Sequence, residues 1–245
     1  MVSGVFLMPN VIRSVSVKAL FGEGGLMVSL HEILKMDMDY PGIEIKVELI
    51  VLQEYLDQME AGISAVCDRY IEAELKKYEG RNYEEYQHVY VIAEDEMPRM
   101  IRLPFVVTIF TLFENSVSLL LSYAQRKEDK GLSLKDINTE SLMSGFNKYL
   151  EHVLAYEFRF DSQAMEHIDG LQKVRNCVAH TNGNLVSMSE TKIEELRKVS
   201  ERIPGVTIGS RNVEVRKEFL EYSLRVVTSA LENLMTYVER RYGFE

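Results

Sequence analysis

Apolar residues recur at three- and four-residue steps through two long segments of this 245-residue chain, and this spacing restricts its fold more than any other feature. The first segment runs from Ile43 to Tyr78, and the last runs from about Arg216 to Tyr242. Their apolar positions are Leu49, Leu52, Leu56, Met59, Ile63, Val66 and Leu75 in the first, and Phe219, Leu224, Val227, Leu231, Leu234 and Val238 in the last. An α-helix has about 3.6 residues per turn, so each set forms a stripe that other helices must cover. We therefore expect an all-α bundle of long antiparallel helices.

Four further helices are expected between these two segments. They cover Tyr83 to Met97, Pro104 to Lys127, Ser141 to Ala155 and Ser162 to His180. Proline disrupts a helix interior but is tolerated in a first turn. Pro98 should therefore end one helix, and Pro104 should begin the next.

A short helix and a hairpin are expected late in the chain. Ser187-x-x-Glu190 has the spacing of a capping box, which predicts a short helix that ends before Pro204-Gly205. VTIGSRNVEV at 206–215 holds two β-branched runs around Gly-Ser-Arg-Asn. This pattern predicts a small inserted hairpin.

Residues 1–42 carry weaker patterns than the rest of the chain. The alternation in VIRSVSVKALF, 11–21, predicts one strand, and GEGG, 22–25, predicts a loop. GEGG lacks the lysine of a phosphate-binding loop and the strand–loop–helix setting of a dinucleotide site. We therefore divide the chain into an N-terminal extension, 1–42, and a helical domain, 43–245.

The composition indicates a globular protein of a reducing compartment. Hydrophobic residues make up 46% of the chain and charged residues 27%, which is too apolar for disorder. Cys67 and Cys177 form neither a disulfide framework nor the paired spacing of a zinc site, so we expect buried free thiols and a cytoplasmic protein. The first ten residues lack the basic leader of a signal peptide. Glu114 and Asn115 interrupt the apolar run Phe105 to Leu121, which favours a buried helix over a membrane span.

The charge is distributed unevenly along the chain. The net charge of −10 argues against a protein that coats nucleic acid through bulk electrostatics. Residues 1–125 hold 10 Lys/Arg against 19 Asp/Glu, whereas residues 126–245 hold 18 against 19. The nearly balanced charge of the second half does not argue against a transient contact with RNA there.

One stretch, LQKVRNCVAHTNGNL at 171–185, combines polar residues with an apolar helix. On the helix ending at His180, Ala164, His167, Leu171, Val174 and Val178 fall on the face expected to be buried. Arg175 lies at the edge of that face, and Asn176 and His180 share another. Arg175 and His180 are about 140° apart around the axis, so they can meet by flexing of a fraying helix end or across a two-fold axis between two copies. Structural roles alone also account for part of the pattern, because Asn182 and Gly183 are ordinary cap residues and histidine stabilises a helix C-terminus.

These side chains suit RNA cleavage without a metal. Histidine near a helix C-terminus titrates close to physiological pH and can act as base or acid. Arginine offers a permanent charge whose planar fork matches phosphate oxygens. Asparagine can orient the imidazole or hold the phosphate. DNA lacks the 2′-hydroxyl that this reaction needs.

The segment Arg175 to His180 resembles the Arg-x(4–6)-His signature of the HEPN (higher eukaryotes and prokaryotes nucleotide-binding) superfamily, including a polar residue after the arginine. The following Asn-Gly is also similar to bacterial members. Further similarity is carried by FVVTIFTLFENSVSLLL, LSLKDI, NKYLEHV and the terminal helix. The resemblance covers roughly residues 43–245.

The resemblance implies a helical bundle, usually dimeric, in which two copies of the motif form a composite cleft. Many members are metal-independent endoribonucleases of toxin–antitoxin, abortive-infection or other defence systems. Carried onto this chain, Arg175 and His180 would be catalytic, with Asn176 in support. We add Glu114 because a glutamate expected to be buried in an apolar helix needs a partner, either Arg175 or His180. It can equally be paired elsewhere for structure alone.

The expected partners are RNA, a second copy of the chain and an antitoxin or other regulatory protein, with no cofactor, metal or membrane. His152 and His167 each follow a glutamate, but adjacent helical residues point apart and make poor joint ligands. Arg126 and Arg159 are weaker candidates for contact with the RNA backbone, since both also suit a solvated surface. The rival hypotheses are a non-catalytic HEPN module that binds RNA, nucleotide or a partner protein, and a purely structural bundle.

Overall fold

Six helices and one two-stranded hairpin make up the part of the chain that the computed structural model describes, residues 37–139 and 141–243. The helices are α1 (Gly42–Leu75), α2 (Tyr83–Lys127), α3 (an α-helical part, Leu142–Lys148, and a π-helical part, Tyr149–Val153), α4 (Ser162–Thr181), α5 (Glu190–Arg202) and α6 (Lys217–Tyr242). A 3-10 turn, Lys76–Tyr78, follows α1. The expectation of an all-α fold is therefore confirmed. The strand expected at 11–21 and the loop expected at 22–25 lie outside the described residues.

Helix α2 lies at the centre of the bundle, with α1 and α4 antiparallel to it and α6 parallel to it. The expectation of antiparallel long helices is therefore wrong for α2 and α6, because Tyr242 at the end of α6 contacts Tyr123 near the end of α2. Helix α2 packs against α1, α4 and α6. The ring of Tyr55 on α1 lies 5.3 Å from that of Phe105 on α2, while Tyr40, just before α1, contacts Tyr123 near the far end of α2. The largest side chains of the core are fully buried along and around α2; they include Phe110, Phe113, Tyr123, Phe146, Tyr149 and Phe219. Residues 39–243 thus share one core.

The two prolines of α2 do not divide it, so the predicted break between Met97 and Pro104 is wrong. Just before Pro98 the helix widens into a π-helical turn, Ile92–Glu96, in which Met97 N–H bonds the carbonyl of Ile92. Because this N–H bonds a carbonyl five residues back instead of four, the pairing of N–H and carbonyl groups shifts by one residue just before the ring of Pro98. Pro104 lies on the exposed side, where water can satisfy the carbonyl that loses its N–H partner. Burial of the flanking turns maintains the helix across both prolines.

Helix α2 is the one helix in the described part of the chain whose length and apolar composition would allow it to cross a membrane. Half of its most apolar window is buried inside the protein. Core helices of soluble folds meet the same criteria of length and composition.

The start of α5 differs from the prediction. Ser189, and not Ser187, is the N-cap residue, so the predicted capping box from Ser187 to Glu190 is wrong. Ser187 lies in a turn closed by the Met188 N–H and the Leu185 carbonyl, 3.0 Å apart. Leu185 is buried, so this turn connects the core to the start of α5 at Glu190.

The predicted hairpin is present as β1 (Val206–Ile208) and β2 (Val213–Val215) in antiparallel register. It also holds the chain segment that follows α4. Val213 N–H donates to the Gly183 carbonyl at 2.8 Å, and Leu185 N–H donates to the Arg211 carbonyl at 2.8 Å. The hairpin therefore fixes where α4 stops.

Candidate active site

Helix α4 begins and ends through well-defined caps. Asp161 Oδ1 accepts a hydrogen bond from Ala164 N–H at 2.8 Å at the start of the helix. At the end Asn182 adopts a left-handed conformation with φ of 52°, and its N–H donates to the Val178 carbonyl at 2.8 Å. Gly183 follows with φ of 76°, a conformation that glycine adopts without strain. The helix thus extends past His180 and closes in an ordered stop.

The expected core face of α4 is confirmed. All five of its predicted positions are buried: Ala164, His167, Leu171, Val174 and Val178. Arg175 lies at the edge of this face with 28% of its side chain exposed. His180 lies on an exposed face of the helix. The helix period therefore predicted these orientations correctly.

Arg175 extends towards α2. Its guanidinium carbon lies 5.1 Å from the centroid of the Phe110 ring, an arrangement that favours a cation. Its Nη2 is 3.9 Å from Oε2 of Glu114, and its Nη1 donates to Oδ1 of Asn176 at 2.9 Å. Nε is buried and has no hydrogen-bond partner among the described residues. The guanidinium is thus held by stacking and by two polar neighbours.

Glu114 lies beside Arg175, but it is not buried. Its side chain is 41% exposed, so the expectation of a buried carboxylate that needs a partner is wrong. The helix presents residue 114 at the margin between α2 and α4, where solvent reaches the carboxylate. Of the two partners considered, Arg175 is the one in reach, and Glu114 makes no described contact with His180.

His180 faces a different part of the molecule from Arg175. Its ring has no hydrogen bond or ion pair with any described residue. It opens onto a cavity of about 420 Å³ between the end of α4, the loop after it and the start of α5. Asn176 lines the same cavity while its Oδ1 holds Arg175. Asn176 therefore connects the two predicted catalytic residues, which one chain does not bring face to face.

Two lysines at this cavity were not predicted from the sequence. Lys173 comes from α4 and Lys192 from α5. Lys173, Asn176 and His180 recur at steps of three and four residues, so the helix period alone was enough to place Lys173 on the face of His180. Lys192 had no such signal, because its position depends on how α5 packs. Lys173 Nζ lies 3.7 Å from Glu195 Oε2, a loose and half-exposed pair.

Cys177 lines the cavity without being reactive. Its side chain is buried, and burial raises the pKa of its thiol above the ordinary value. The thiol therefore stays protonated near neutral pH and is a poor nucleophile. Its Sγ lies 3.6 Å from Oγ1 of Thr181. The expectation that Cys177 is a buried free thiol is confirmed.

The weaker candidates lie away from this site. His167 is buried, its Nε2 lies 3.0 Å from Ser223 Oγ, and burial lowers its pKa to about 4. His152 is exposed near Glu151, which also pairs with Arg159. Within the described residues no group of three His, Cys, Asp or Glu side chains could hold a metal ion.

The site as a whole offers an accessible imidazole, a held guanidinium and two lysines around an open cavity. These groups can bind a phosphate, move a proton and stabilise developing negative charge. Comparisons of the chain with models of protein families, with curated proteins and with solved structures found no match.

Proposed function

We propose that this protein is a metal-independent endoribonuclease of HEPN type that acts as a homodimer. The observation that carries the proposal is His180, an exposed imidazole without a partner among the described residues, at a cavity lined by Lys173 and Lys192. Through Asn176 this cavity adjoins the guanidinium of Arg175. An imidazole can transfer a proton, and a guanidinium and lysines can stabilise negative charge on a phosphate.

The proposed reaction is an internal transesterification of RNA. A base removes the proton of a 2′-hydroxyl, the 2′-oxygen bonds to the adjacent phosphorus, and the bond from phosphorus to the 5′-oxygen breaks. An acid protonates that oxygen, which leaves a 2′,3′-cyclic phosphate and a 5′-hydroxyl. His180 performs acid–base work, and Arg175 stabilises the charge that builds on the phosphate oxygens. Glu114 and Asn176 position the guanidinium.

A composite site requires a second copy of the chain. Arg175 faces α2 and His180 faces α5, and the cap at Asn182 opposes fraying that would bring them together. Beside Glu114, α2 presents an exposed face with no charged side chain; it consists of Ile101, Pro104, Thr108, Thr111, Asn115, Leu119 and Ser122. Depletion of charge is typical of the centre of a protein interface. A two-fold axis along this face is the arrangement we propose for the dimer.

The cellular setting follows from the resemblance alone. We propose a cytoplasmic enzyme of a defence or toxin–antitoxin system, held inactive by an antitoxin or other regulatory protein. Expression of the wild type should slow growth, and expression of His180→Ala should not. An equal growth defect with both would contradict this setting.

The second candidate is a non-catalytic HEPN module that binds RNA, nucleotide or a partner protein. It is favoured by the existing engagement of Arg175, whose Nη1 donates to Asn176 and whose Nη2 faces Glu114. A guanidinium already partnered has fewer donors for a phosphate. The net charge of −10 points in the same direction.

The test is cleavage of total cellular RNA in EDTA by four purified proteins. We expect discrete fragments with the wild type and none with His180→Ala or Arg175→Ala. His152→Ala is the matched control, because His152 is an exposed histidine outside the site, and it should cleave like the wild type. An oligonucleotide with 2′-deoxyribose throughout should resist cleavage. Inactive wild type across several RNA pools and pH values would favour the binding module, and cleavage by His180→Ala would exclude the proposed role.

A further inference from the structure

We infer that the cavity between α4 and α5 is a subsite for one unstacked nucleotide of single-stranded RNA, next to the phosphate that is cleaved. This inference deepens the proposed function and rests on it. The cavity has a volume of about 420 Å³, within the range of about 300–1,000 Å³ that holds small ligands. It has a cationic rim and an apolar floor, and the two parts suit the two ends of a nucleotide.

The rim suits a phosphate. Lys173 and Lys192 approach the cavity from two helices, and Lys192 forms no ion pair with a described residue. Lys192 belongs to the first turn of α5, whose N-cap residue Ser189 also lines the cavity and makes no side-chain cap hydrogen bond. The first amide groups of a helix lack partners within the helix and favour an anion. Two cations and these amides outweigh the single carboxylate of Glu195.

The floor suits a nucleobase. Leu196 and Cys177 are buried, and the thioether of Met188 is half-buried at the cavity wall. Sulfur and aliphatic groups pack favourably against flat aromatic rings. The Asn176 Oδ1 accepts from Arg175, whereas its Nδ2 donates to no described residue. Asn176 therefore offers hydrogen-bond donors to a carbonyl oxygen or ring nitrogen of the base.

The form of the site selects single-stranded RNA. A base inside a duplex is stacked on both faces and paired at its edge, so it cannot enter the cavity without leaving the helix. A base in a loop or a single strand enters at little cost. A nucleotide held here places an adjoining phosphate near the His180 imidazole, which lines the same cavity.

The test measures binding without cleavage. The probe is a labelled 12-nucleotide RNA whose riboses carry 2′-O-methyl groups, offered as a single strand and as a duplex with its complement. Lys173→Gln and Lys192→Gln should each weaken binding of the single strand roughly five- to tenfold. Lys198→Gln is the matched control, because this exposed lysine of α5 does not line the cavity, and it should bind like the wild type. All four proteins should bind the duplex more weakly than the wild type binds the single strand.

A second readout locates the ligand. Titration with uridine 3′-monophosphate should shift the imidazole NMR signal of His180 and leave that of His152 in place. Cleavage by the wild type, with binding unchanged in both lysine variants, would overturn the subsite and leave the proposed function standing. Lysine-dependent binding of the single strand without any cleavage would support the subsite and overturn the catalytic proposal. Equal affinity for the single strand and the duplex would overturn the selection of unstacked RNA.

Discussion

A dimer built from one Arg175→Ala chain and one His180→Ala chain should cleave RNA, although neither mutant homodimer does. The expectation follows from the two directions in which α4 presents these residues. Arg175 reaches Phe110 and Glu114 on α2, and His180 opens onto the cavity at α5. A site that combines them across a two-fold axis takes the arginine from one chain and the histidine from the other.

The expected magnitude follows from counting sites in this arrangement. In the mixed dimer one site has both wild-type residues, and the other site lacks both. The purified mixed dimer should therefore show about half of the wild-type activity. A mixed dimer of the wild type with the double mutant Arg175→Ala, His180→Ala should behave in the opposite way. Each of its sites lacks one residue, so it should be inactive.

The assay needs two affinity tags and one RNA substrate. Co-expressed chains with different tags are purified on both tags in succession, so that only mixed dimers remain, and initial rates of cleavage are compared in EDTA. If each chain held a complete site, the first mixed dimer would be inactive and the second would be half as active as the wild type. That pair of results would refute the composite site.

Three further predictions concern stability and ionic strength. Glu60 and Arg102 join α1 to α2 through two hydrogen bonds of 2.7 and 2.8 Å. Glu60→Ala should therefore lower the free energy of unfolding, measured by urea denaturation, by about 2–4 kcal/mol. A loss below about 1 kcal/mol would contradict this prediction. Burial lowers the pKa of His167 from 6.5 to about 4. Between pH 6.5 and about 4 the unfolded state binds a proton that the folded state does not. The free energy of unfolding should therefore fall by about 3 kcal/mol as the pH falls through this range, and His167→Gln should remove this dependence. If about three cationic groups contact the phosphates of single-stranded RNA, a plot of the logarithm of the association constant against the logarithm of the salt concentration should have a slope of about −2. A slope near zero would exclude phosphate contacts.

The sequence predicted helices wherever the apolar period was long. The buried stripe of α4 and the ranges of α1 and α6 agree with the prediction because burial of one face both produces the pattern and stabilises the helix. The break predicted at Pro98 and Pro104 is wrong because local rules for proline assume a helix stabilised only by its own hydrogen bonds. Helix α2 is buried among three others, and their packing outweighs the loss of two local bonds.

Within the candidate site, only the relative positions of residues on the same helix could be predicted from the sequence. The relative directions of Arg175, Asn176 and His180 follow from the helix period, as does the position of Lys173. The pairing of Arg175 with Glu114 joins two helices, so the sequence offered it only as one of two alternatives, and the Glu114 side chain is 41% exposed where burial was expected. Lys192 lines the cavity because the loop after α4 brings the start of α5 back beside α4. No local sequence pattern predicts this packing.

The acidic character of the chain and an anionic substrate are compatible because charge acts locally in salt. At physiological ionic strength the screening length is about 8 Å, so a phosphate at the cavity responds to the groups that line it and only weakly to distant carboxylates. The excess of acid lies in residues 1–125, whereas the lysines and His180 lie in residues 126–245. A distant negative field slows association with RNA chains in general and leaves the local attraction at the rim in place. Such an arrangement favours brief engagement of one exposed nucleotide over coating of a long strand, which is what a nuclease that must release its products requires.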